Sequence, residues 1–98
     1  MNNTIPSLLN RVLKLKDDFQ RVGADAWNAW STGGRAGFIL GSLDGEAARY
    51  DDSSIYNIFF KAYHSSKHSS IHLTDLDFSQ VMEVLDIAER FSKNWIFS

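Results

Sequence analysis

The stretch "GGRAGFILGSLDGEAARY", Gly33 to Tyr50, decides the fold class of this 98-residue chain. Glycine recurs at positions 33, 37, 41 and 45, and each interior glycine costs a helix about 1 kcal/mol against alanine. Asp44-Gly45 is also a strong hairpin signal, with "FILGSL" before it and "EAARY" after it. A hairpin over 37–50 would make the protein α+β. Against it, Glu46, Ala47, Ala48 and Arg49 are good helix formers, and that half holds no β-branched residue. Ala36, Ile39, Leu40, Leu43, Ala47 and Tyr50 fall on one helical face. The expectation is a helix, broken near Gly45, whose glycines require close approach of a neighbouring helix.

On either side the helical signal is stronger. Leu8, Val12, Leu15, Phe19, Val22, Ala26 and Ala29 step by four and three, a heptad seam widened by Ile5, Leu9, Leu13, Trp27 and Trp30. This predicts one long helix from near Thr4, with Pro6 in its first turn and Gly23 as its weak point. At about 27 residues it would reach about 40 Å, longer than a small core needs. The seam Leu8, Val12, Leu15, Phe19 and Val22 is therefore expected to support a homodimer. "DDSSIYNIFFKAY" predicts a short buried helix from about Ser54 to about His64. Thr74 and Asp77 stand at a capping-box spacing before Phe78, Val81, Met82, Leu85, Ala88, Phe91 and Trp95, predicting a last helix almost to the end. The fold class is thus all-α, a small bundle of about four helices in a single domain over 1–98.

Composition narrows the function. Hydrophobic residues at 44% and charged residues at 22% describe a folded chain, and ten basic against twelve acidic residues give a formal charge of -2, so direct nucleic-acid binding is not expected. No apolar run reaches the ~20 residues of a membrane span, "MNNTIPSLLN" lacks a secretion signal, and there is no cysteine. These features lead us to expect a soluble, cytoplasmic protein without membrane contact.

The three histidines, His64, His68 and His72, lie four apart in "YHSSKHSSIH". His64 and His68 could share a helical face as metal ligands, with Asp75 or Asp77 completing the set, but the intervening serines favour turns and no HExxH or thiolate context is present. A polar connector is the expected role, with no metal and no cofactor. Ser31 to Arg35, "STGGR", resembles an anion-binding helix start but lacks the Walker lysine, and a turn after a helix C-cap suffices for it. No GxSxG elbow accompanies the serines near the histidines.

What remains points to protein recognition. Trp27, Trp30 and Arg35 are residue types that dominate interface hot spots. Asp44, Glu46, Asp51 and Asp52 form an acidic group opposed only by Arg49, suited to a partner with a basic surface. The expected function is a non-enzymatic interaction protein, such as a regulator, immunity protein or inhibitor. The alternative is a ligand- or metal-binding domain or hydrolase using the histidine segment or the Ser31–Arg35 loop.

Overall fold

A computed structural model describes residues 4–95. Four helices form, α1 (Leu8–Ala29), α2 (Thr32–Tyr50), α3 (Ser54–Ser65) and α4 (Phe78–Lys93), with a 3-10 turn at Leu73–Asp75 and no strand among the described residues. The fold is an all-α bundle, and the hairpin does not form. None of these helices is long and apolar enough to cross a membrane.

α1 begins at Leu8 rather than near Thr4, because Ser7 takes the N-cap and its hydroxyl accepts from the Asn10 N–H at 3.1 Å. Gly23, at φ 82 and ψ 160, sits where side chains are rarely tolerated and kinks the helix. Beyond the kink the inward position passes from the heptad series to Trp27, which is fully buried, while Ala29 is exposed. α2 runs unbroken through Gly45 and ends at Asp51, whose left-handed φ of 49 closes its C-terminus. α4 opens on a full capping box, Asp77 with Gln80. Thr74 does not open this helix; it belongs to the 3-10 turn.

The core joins Leu8, Val12, Leu15, Phe19 and Trp27 of α1 to Ile55, Ile58, Phe59, Ala62 and Tyr63 of α3 and Val81, Val84, Leu85 and Ala88 of α4. The expected dimer seam is therefore covered by the chain's own helices: Leu8, Val12, Leu15 and Phe19 are at most 3% exposed, and Val22 packs against the same cluster. α3 and α4 supply the apolar surface that a second copy was expected to provide.

α2 contributes only Ile39 and Leu43 to the fully buried apolar set and is fastened at both ends by arginines. Near its start, Arg35 donates from Nε to the Trp27 carbonyl at 3.0 Å, from Nη1 to the Thr74 and Leu76 carbonyls at 3.1 and 2.8 Å, and from Nη2 to the Asn28 carbonyl at 3.3 Å. Near its end, Glu46 accepts from Nε of the buried Arg11 at 3.0 Å, and Arg11 Nη2 donates to the Asp52 carbonyl at 2.8 Å. These charge-assisted bonds fix α2 against α1 without burying its outer face.

Candidate functional site

Because α2 is fixed at its ends, a groove opens where its middle meets α3 and the 72–74 segment. Ala36, Ile39 and Leu40 form one wall, Phe60, Tyr63 and His64 the second, and His72, Leu73 and Thr74 the third. It encloses about 350 Å³ and is predominantly apolar. Leu40 stands at its lip, 49% exposed, one of three large apolar side chains, with Ile5 and Leu13, left in solvent among the described residues.

Each wall has a local cause. Helical periodicity places Ala36, Ile39 and Leu40 on adjoining sides of α2. The third wall is held by Arg35 on the Thr74 and Leu76 carbonyls, by the Trp27 Nε1–H donating to the Leu76 carbonyl at 3.0 Å, and by the Tyr63 hydroxyl donating to the Ile71 carbonyl. His72 caps the 3-10 turn, its Nδ1 accepting from the Thr74 N–H at 3.3 Å and lying 2.7 Å from the Thr74 hydroxyl.

The outer face of α2 continues from the groove and is nearly bare. Gly33, Gly37, Gly41 and Gly45 are exposed, and a Cβ built at 37, 41 or 45 would meet nothing within 4 Å. The close helix approach expected to explain these glycines is not made among the described residues. Asp44 stands on the same face and pairs with no cation among the described residues.

A second cleft, of about 370 Å³, lies between Ser65–His68 and α4 and is mixed in character, with Ile87 beside His68, Glu83, Asp86 and Arg90. His68, only 8% exposed, faces Glu83 at 2.8 Å, and Lys67 approaches Glu83 at 3.4 Å. The hydrogen bond from His68 holds the Glu83 carboxyl below the usual carboxylate range. The Ser66 hydroxyl donates to the Tyr63 carbonyl at 2.7 Å and accepts from the His68 N–H at 3.2 Å. Both bonds fasten the connector, and neither makes Ser66 a nucleophile aligned with the imidazole.

The residues singled out from the sequence thus separate. Trp27 is core, the half-buried Arg35 bonds its guanidinium to four carbonyls, and Trp30 packs beside Trp27 and Phe38. Of the acidic group, Glu46 and Asp52 turn to Arg11 at 3.0 and 3.5 Å, while Asp44 and Asp51 remain in solvent. A hydrogen bond with Ser54 lowers the Asp52 carboxyl below its ordinary value. The histidines diverge, His64 and His72 to the apolar groove and His68 to Glu83. No group of three or more His, Cys, Asp or Glu side chains able to hold a metal occurs among the described residues. Ser31 caps α2, its hydroxyl accepting from the Gly34 N–H at 3.2 Å, so one of the donors expected for an anion is already bonded.

Sequence reasoning missed Arg11 and the groove. A charged residue beside the α1 seam gave no sign of burial, and the groove is assembled from three segments with no shared local motif. Helical period set Leu40 on the same apolar face as Ile39 and Leu43, yet it is 49% exposed where they are buried, and no sequence signal marked that difference. No family model matches the chain, and no significant match was found among curated proteins or solved structures.

Proposed function

We propose that this is a non-enzymatic interaction protein, of the regulator, immunity-protein or inhibitor kind, that receives an apolar segment of a partner protein in the groove between α2 and α3. The observation that carries this reading is Leu40, exposed at the lip of a predominantly apolar groove and continuous with a glycine-rich helix face. Exposed apolar surface next to a pocket has no role in the stability of the chain itself and suits a contact surface. The bare α2 face adds to the argument, because glycine lets a partner backbone come close. The α1 seam is not part of the proposal, since its side chains are used in the core.

The test is a comparison of wild type with Leu40→Asp. Leu40 is half in solvent, so the variant is expected to keep its helical dichroism and melting temperature. Proteins retained from host extract by wild type and lost with Leu40→Asp would support the reading. An identical retained set for both proteins would refute the groove as the contact surface.

A further inference from the structure

We infer that the occupant of the groove is an amphipathic helix whose apolar face is flanked by two basic residues about two and a half helical turns apart. The inference rests on the groove being a protein-docking surface, as proposed above, and adds the chemistry of the partner. The decisive observation is where uncompensated charge lies. Asp75 directly follows Thr74, the end of the third wall, and Arg35 ties the Thr74 carbonyl to the first turns of α2. Asp44 lies nine residues beyond Arg35, about 13 Å along the helix at 1.5 Å per residue. Along α2 the two acidic residues thus bracket the groove-lining Ala36–Leu40 stretch, Asp75 next in the chain to Thr74 of the third wall and Asp44 one helical turn past Leu40. Both are exposed, and neither pairs with a cation among the described residues.

No base among the described residues answers them. Arg49, five residues beyond Asp44 on α2, is exposed and makes no ion pair with it, and Arg35 gives its guanidinium to four carbonyls. Lys61 of α3 lies over the Phe91 and Trp95 rings, on the α4 side of its helix. The remaining titratable groups at the rim are His64 and His72. An apolar trough bracketed along α2 by two exposed acidic residues complements a helix that lays apolar anchors into it and carries Lys or Arg at each end of the contact. The glycine face of α2 leaves room for such a helix to lie close along it.

The probe is a displayed library of 16-residue helical peptides, selected on wild type and counter-selected on Leu40→Asp. The enriched peptides should carry apolar anchors bracketed by Lys or Arg about nine positions apart. The best of them should lose on the order of tenfold in affinity when those bases become Glu. Asp44→Asn with Asp75→Asn, both exposed positions whose loss leaves dichroism unchanged, should erase that difference. Enriched peptides with no basic bias, or a bias that survives the double substitution, would overturn the inference while leaving the groove reading intact. Selection that never distinguishes wild type from Leu40→Asp would overturn both. Sedimentation showing wild-type self-association that Leu40→Asp abolishes would make a second copy the occupant and overturn the inference.

Discussion

α2 and α3 lie side by side and are built by opposite means. The 12 residues of α3 bury Ile55, Ile58, Phe59, Ala62 and Tyr63, so its position follows from apolar area removed from water. The 19 residues of α2 bury Ile39, Leu43 and Glu46, and its position follows from two arginines that clamp its ends. A helix held by its core face has little freedom to present anything else. A helix held at its ends can leave its middle open, and the groove occupies that middle. The contrast separates the element that stabilises the fold from the element we propose displays the contact surface.

The contrast is most sharply tested in α3. Phe59 is fully buried and touches Phe19 and Phe60 through its ring. Phe59→Ala is expected to cost about 3 to 5 kcal/mol in denaturant unfolding, by lost transfer energy and the cavity left behind. A loss below about 1 kcal/mol would mean that α3 is not an apolar anchor of the fold.

The polar clamp on α2 makes the next prediction. Arg11 is 2% exposed and Glu46 8%, and removing one partner strands the other charge away from water. Arg11→Met should destabilise by about 3 kcal/mol, and Arg11→Met with Glu46→Leu should recover most of that loss. A double-mutant cycle in denaturant reads both. Should the double variant be no better than the single, the Arg11 bonds to backbone carbonyls, rather than the ion pair, would be what holds α2.

Acid should weaken Asp52 of this clamp together with the ion pairs of α4 before the core. The Asp52 carboxyl is lowered chiefly by its hydrogen bond with Ser54, that of Glu89 by Lys16, and that of Glu83 by His68. A carboxyl with a folded value below its unfolded one contributes fully above the unfolded value, near 4, and loses that contribution as pH falls through the folded value. Stability followed by dichroism is therefore expected to decline below about pH 4, with a shallower decline in Asp52→Asn. Lys16 runs in the other sense: its pairing with Asp86 raises it above 10.5, so its contribution persists to that pH and is lost beyond. An unchanged acid slope in Asp52→Asn would remove Asp52 from the account.

Much of this architecture is legible in the chain. The α3 bounds and the α4 face follow from helical period and capping residues, and α2 follows from "EAAR" against the pull of Asp44-Gly45. The seam of α1 is plain as an apolar stripe, but its partner is not, because periodicity shows that a face is covered without showing by what. Arg11 is illegible for a related reason: one turn beyond Leu8 a charge reads as the start of a solvated face, and its burial depends on Glu46, thirty-five positions away. Trp27 and Arg35 look like contact residues from their type alone, whereas their indole and guanidinium are consumed by the Leu76 carbonyl and its neighbours. The groove joins residues 36–40, 60–64 and 72–74, and local pattern carries no information about such convergence.

The smallest effect is also the one that bears most directly on α2. Gly37, Gly41 and Gly45 lie in regular helix with open space where a Cβ would stand. Alanine there meets no neighbour and restricts the unfolded chain, so each substitution should stabilise the protein by about 0.5 to 1 kcal/mol. Gly23 provides the control, since its φ of 82 strains any side chain although space is equally free, and Gly23→Ala should destabilise. Melting curves of the four single variants and of the triple alanine variant decide the matter. A triple variant more stable than wild type shows that the bare face is not needed by the fold. If that variant also binds the selected peptides less tightly, the glycines are retained for the approach of a partner backbone. If any of the three α2 substitutions proves as costly as Gly23→Ala, that stretch of α2 is covered within the chain and the contrast with α3 fails.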